Sequence, residues 1–110
     1  MNTSIHRITV IIPADNLEEC ERCLRAAGVP GMTIDNVRGF GEHANYFSSD
    51  LLCSNARIEI FAGGGRCEEI CEIVRAFALD LPARAGILVV EPVDRVISLE
   101  DGRELRADML

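Results

Sequence analysis

The sequence predicts an α+β fold, a ferredoxin-like β-α-β-β-α-β sandwich with both helices on one face of an antiparallel sheet. Three observations predict it. Two apolar stripes recur at helical spacing, compact β-branched runs flank each of them, and this order of elements places both helices on the same side of the strands. A long loop between strands 2 and 3 and a short C-terminal hairpin complete the expected plan.

Residues 5–12 are β-branched and read as the first strand, after which Pro13, Ala14, Asp15 and Asn16 supply a breaker and a cap for the next element. From Leu17, small or apolar residues return at Cys20, Cys23, Leu24 and Ala27, the i, i+3, i+4, i+7 stripe of a helix that Gly28 can end. Glu18, Glu21, Arg22 and Arg25 occupy its other face. A turn at Val29, Pro30 and Gly31 leads to a second strand over 32–38, closed by Gly39-Phe40-Gly41. The segment 41–54 is polar and aperiodic. Loops of about that length in compact domains are often functional, so it is the expected surface for partner contacts.

Arg57-Ile58-Glu59-Ile60-Phe61 alternates as a strand does, Gly63-Gly64-Gly65 interrupts it, and Cys67, Ile70, Cys71, Val74 and Phe77 form the second helical stripe. After Pro82, Gly86-Ile87-Leu88-Val89-Val90 reads as a buried strand, and residues 93–99 with the Asp101-Gly102 turn predict the terminal hairpin. At 110 residues the chain is expected to form a single domain, 1–110, with a loop at 41–54 and an appendage at 93–110. One domain of this size cannot cover both sheet faces, so oligomerisation through the open face is expected.

A net charge of −7, with eleven Arg and no Lys, disfavours nucleic acid as a partner. The longest apolar runs fall well short of the roughly 20 residues that cross a bilayer. The polar start of the chain lacks the pattern of a secretory signal, so a cytoplasmic location is expected. No Ser-His-Asp or Cys-His arrangement, phosphate-binding P-loop or zinc-protease signature is present, and no enzyme activity is expected.

Cys20-x-x-Cys23 and Cys67-x-x-x-Cys71 fall on neighbouring helices, and with His43 they form an alternative metal-binding set for a role in metal sensing or tolerance. The competing reading places the four thiols in the core as small hydrophobes. Cys53 is expected in the loop and His6 on the first strand.

Three motifs in register carry a family resemblance: Gly28-Val29-Pro30-Gly31-Met32-Thr33-Ile34, then Val37-Arg38-Gly39-Phe40-Gly41, then Arg57-Ile58-Glu59-Ile60. They resemble the G-x-x-G-M-T, V-K-G-F-G and K-I-E-I segments of PII-type nitrogen-regulatory signal proteins. The resemblance implies a homotrimer that holds an adenine nucleotide between subunits as an effector, with no tightly bound cofactor, and regulates a membrane transporter or metabolic enzyme through its loop. It places Gly39, Phe40 and Gly41 at the loop base near the nucleotide, and Gly31, Met32, Thr33, Glu59 and Phe61 on the base-binding side.

Where this chain departs from the family pattern, the expected ligand changes. The family's T-G-x-x-G-D-G-K phosphate loop is replaced by Asp80-Leu81-Pro82-Ala83-Arg84-Ala85-Gly86, and its late V-I-R-I-R by Val96-Ile97-Ser98-Leu99-Glu100. Cationic phosphate ligands are lost, which favours ADP or AMP over ATP unless Arg84, Arg57 or Arg38 substitutes. Tyr46 lacks the flanks of a uridylylation site. Ala85-Gly86-Ile87 resembles a segment of PII-like proteins associated with bicarbonate transport, which implies bicarbonate as a second ligand near Arg57, Arg84 and the Gly39-Phe40-Gly41 amides.

Overall fold

The computed structural model describes residues 4–39, 53–82 and 86–110. Strand β1 (Ile5–Pro13) runs into a single 3-10 turn (Ala14–Asn16) and helix α1 (Leu17–Ala26). Strands β2 (Thr33–Gly39) and β3 (Cys53–Gly63) follow, then helix α2 (Arg66–Leu79) and strand β4 (Ile87–Val93). A hairpin of β5 (Val96–Ile97) and β6 (Glu104–Leu105) and a last 3-10 turn (Ala107–Met109) end the chain. The four main strands lie in the order β2-β3-β1-β4, every neighbour antiparallel, which is the ferredoxin-like arrangement.

Even-numbered residues of the central strands face the helices. Ile8 pairs with Ile60 and Val90, Val10 with Ile58 and Leu88, and Ile12 with Ala56. Ile8, Val10 and Ile58 have no exposed surface, and the helices close over them with Cys20, Leu24, Cys67, Ile70, Cys71 and Val74. The period-2 alternation of β1 and β3 therefore builds the core directly from the sequence.

Helix α1 ends as its sequence dictates. Gly28 takes φ +85°, its N–H bonds the Arg25 carbonyl at 3.0 Å, and the Val29 N–H bonds the Leu24 carbonyl at 3.1 Å. This is a Schellman closure, with Val29 and Leu24 both buried. The other end differs from expectation. Asn16 already has helical backbone angles and makes no side-chain cap, because the 3-10 turn leads straight into the helix.

Strand β3 also differs from expectation, since it spans eleven residues and begins at Cys53. Cys53 and Ser54 thus belong to the sheet rather than to the loop over 41–54. Pairing with β2, from Gly39 opposite Cys53 to Thr33 opposite Glu59, holds this polar stretch extended where its own pattern is silent. Residues 40–52 of that loop lie outside the described residues.

The second sheet face is more mixed than its apolar strands predict. Gly63 shares this face with Phe61 and Glu59, and a Cβ added to it would overlap the Ala107 carbonyl oxygen, so the C-terminal turn rests on the strand there. Ile5, directly opposite Gly63, is only 8% exposed. The β5–β6 hairpin forms its own two-stranded sheet, separate from the main one. No helix among the described residues is long and apolar enough to cross a membrane.

Candidate functional site

The odd-numbered residues of the strands build the open face in rows. Thr33 on β2 lies opposite Glu59 on β3, which lies opposite Thr9 on β1, which lies opposite Val89 on β4. The next row toward the loop reads Asp35, Arg57, Ile11 and Ile87. On the other side, Phe61, Arg7 and Glu91 align. A groove of about 240 Å³ opens over these rows, lined by Arg7, Thr9, Ile11, Arg57, Glu59, Val89 and Glu91.

Both arginines of the groove already hold a carboxylate. Arg57 donates from Nε to Asp35 Oδ1 at 3.1 Å and from Nη2 to Asp35 Oδ2 at 2.8 Å. Arg7 donates from Nε and Nη2 to Glu91 Oε1 at 3.2 and 2.8 Å. These hydrogen bonds, and the adjacent negative charge, hold both guanidiniums above their ordinary pKa. Glu59 makes no ion pair among the described residues, so the groove carries two cations against Asp35, Glu59 and Glu91. An additional phosphate must therefore compete with carboxylates already in place.

The residues predicted for a nucleotide divide into groups. Thr33, Arg57, Glu59 and Phe61 share the open face near the β2 edge, with Phe61 36% exposed. Met32, one residue before Thr33, packs against the core on the helix side. Gly31 and Met32 border a second groove of about 200 Å³ with Glu21, Arg25, Val29, Pro30 and Ile34. Gly39 is the last residue of β2. Phe40, Gly41, Arg84 and His43 lie outside the described residues, as does Tyr46.

Gly86 stands before β4, on the other side of the sheet from β2. Its φ of +116° and the overlap a Cβ would make with the Ile11 carbonyl oxygen require a glycine at this position. With neighbouring strands about 4.8 Å apart, Thr33 and Gly86 are separated by three strand spacings, roughly 14 Å.

Among the described residues no group of three or more His, Cys, Asp or Glu is close enough to hold a metal ion. Cys20, Cys67 and Cys71 are buried in the core. Burial pushes the Cys20 thiol up to about 11 and raises Cys67 and Cys71 as well, the opposite of what a thiolate ligand needs.

Sequence reasoning missed Asp35, Arg7, Thr9 and Glu91. The alternation of Arg7 and Thr9 with Ile8 and Val10 already marks a polar open face, and Asp35 needs only the β2–β3 register to meet Arg57.

Fold and face define a split β-α-β domain whose open sheet face is organised by paired ions. A family model described as nitrogen regulatory protein P-II matches residues 5–103, and the chain belongs to this family of regulatory proteins. It is 28% identical over 102 residues to the nitrogen regulatory protein GlnK of Escherichia coli K12, covering 86% of this chain and 91% of that protein. It is 30% identical over 103 residues to nitrogen regulatory protein P-II 2 of Methanothermobacter thermautotrophicus, covering 86% and 89%. The crystal structure of Arabidopsis thaliana PII bound to citrate superposes with a TM-score of 0.76 over 93% of this chain and 89% of that one, at 22% identity, a likeness of fold.

Proposed function

We propose that the chain acts as one domain, 1–110, in a cytoplasmic homotrimer that binds an adenine nucleotide between subunits, ADP or AMP in preference to ATP. It works as a regulator rather than an enzyme, and the segment 41–54 passes the state of the site to a membrane transporter or metabolic enzyme. One observation carries this reading. The candidate ligand residues stand on opposite sides of the sheet, Thr33 and Glu59 near the β2 edge and Gly86 before β4. A cleft in which the β2 edge of one copy meets the β4 edge of the next brings both sets onto one ligand.

The preference for fewer phosphates follows from the ion pairs. Arg57 is committed to Asp35, so it offers little to a third phosphate. Bicarbonate beside the nucleotide belongs to the same proposal, and it draws on Arg84 and the Gly39, Phe40 and Gly41 amides more than on Arg57.

Calorimetry on a verified trimer with AMP, ADP, ATP and cyclic AMP tests the nucleotide, and repeating it with bicarbonate at fixed pH and ionic strength tests the anion. AMP or ADP should bind more tightly than ATP, and bicarbonate should change nucleotide affinity reciprocally. A chain that is monomeric, or a trimer that binds none of the four nucleotides, overturns the reading.

A further inference from the structure

We propose that Cys67 and Cys71 form a dithiol site for trivalent arsenic, taken up as a hydroxide such as arsenous acid or an organic arsonous acid. The site lies on the buried face of α2, away from the open face of the sheet, and goes beyond the adenylate reading.

Four residues apart on α2, the two cysteines stand one above the other, and one thiol donates a hydrogen bond to the other. Two sulfurs in contact suit a bent centre, because trivalent arsenic holds a pair of thiolates at nearly that separation. A linear two-thiolate ion needs its sulfurs further apart, and zinc needs a third and a fourth ligand. Among the described residues no third His, Cys, Asp or Glu is close enough to join the pair in holding a metal ion.

Charge points the same way. Cys67 and Cys71 are 5% and 7% exposed, and Glu68 and Glu72 add negative potential around them. A bis-thiolate of a monovalent ion would leave a negative charge in these surroundings. Arsenic leaves none. Two As–OH bonds break, two As–S bonds form, and each thiol proton departs with a hydroxide as water, while arsenic stays trivalent and the product is neutral. The step therefore suits thiols that burial keeps protonated, as it does here, with Cys71 held up to about 11. Access comes from the helix start. α2 begins at Arg66 with no side-chain cap, so Cys67 stands on the first turn, where local opening costs least.

The probe is phenylarsine oxide, which hydrates to the dihydroxide, added at one equivalent to the reduced chain. Native mass spectrometry should show one adduct per chain that survives excess mercaptoethanol and is stripped by dimercaptopropanol, since two bonds to one arsenic hold far better than one. Cys67→Ala and Cys71→Ala should each weaken binding about a hundredfold. Cys20→Ala and Cys23→Ala should leave it unchanged. On the unaltered chain, the thiols left open by the arsenical are alkylated, the arsenical is stripped, and the released thiols are labelled with N-ethylmaleimide. That label should mark Cys67 and Cys71 together, a result that stands even where a variant fails to fold. No adduct, an adduct that mercaptoethanol removes, or label on Cys20 and Cys23 overturns the proposal.

Discussion

Arg57 on β3 holds Asp35 on the neighbouring strand through two hydrogen bonds, 3.1 Å to Oδ1 and 2.8 Å to Oδ2. The two residues lie directly opposite in the β2–β3 ladder, so strand register alone brings them together. A guanidinium engaged in this forked geometry is a poor phosphate ligand, because a phosphate must first displace a carboxylate of the same sign. The cation most available by sequence is thus internally neutralised.

Asp35→Asn should free Arg57 and shift the ligand preference toward ATP. One recovered charge-assisted hydrogen bond, about 1.5–3 kcal/mol, is roughly ten- to a hundredfold in affinity. Folding stability should change by less than about 1 kcal/mol, since both side chains are half exposed and such pairs contribute little. Calorimetric titration of the variant with ATP and AMP checks it. An unaltered ATP-to-AMP ratio would show that Arg57 does not face the phosphates.

Two glycines of the candidate site should respond in opposite ways to the same change. Gly86→Ala forces a left-handed φ of +116° on an alanine and drives its Cβ into the Ile11 carbonyl, which should cost roughly 2–3 kcal/mol. Gly31 has open space around its Cβ and no positive φ, so Gly31→Ala should fold with stability within about 0.5 kcal/mol of the parent. Denaturant unfolding separates them. If the Gly31 backbone approaches the ligand, Gly31→Ala should still lose adenylate affinity, on the order of tenfold; full affinity removes Gly31 from the site.

The strands and helices were legible because their periods are strong and local. Ile8, Val10 and Ile12 alternate with polar or half-buried residues, and Cys20 with Leu24 mark one side of α1 at helical spacing. The site was less legible because its relationships are between strands. Nothing near Arg57 in the chain points to Asp35, and nothing near Gly63 points to Ala107, 44 positions later. Gly86 shows a different limit: a glycine required beside a ligand and a glycine required beside the Ile11 carbonyl look identical in sequence. Met32 follows Gly31 in the motif, yet the strand's alternation sends it to the helix side.

The buried thiols should make the fold sensitive to alkali. The folded chain holds the Cys20 proton up to about pH 11, whereas an ordinary thiol releases it near 9.0. The stabilisation is therefore complete below pH 9 and is lost as the pH rises through 11, on the order of 1–2 kcal/mol at most. Cys20→Ala should flatten that decline in a pH series of unfolding curves. Thiol labelling at pH 8 should reach half-buried Cys23 well before Cys20. Equal labelling rates would contradict the packing of α1 against the sheet.

The C-terminal arm, residues 94–110, should loosen in acid, with the Arg95–Glu104 ion pair as the group that controls it. Arg95 donates to both oxygens of Glu104, at 3.0 and 3.2 Å, and this hydrogen bonding followed by the charge itself holds the Glu104 carboxyl below its ordinary 4.5. A depressed carboxyl stabilises the folded arm above its unfolded value, and that contribution disappears as the pH falls through the depressed one. The window therefore opens just below pH 4.5 and extends downward. Hydrogen exchange at the Ser98 and Gly102 amides, both bonded within the hairpin at 2.8 Å, reports it directly. After correction for intrinsic rates, their protection should fall in that window while the amides of β1 and β3 keep theirs, because the arm opens on its own. Glu104→Gln should show the loosened arm at neutral pH and little further change in acid. If the two groups of amides instead lose protection together at every pH, the arm and the sheet unfold as one unit, and the Arg95–Glu104 pair has no separate element to control.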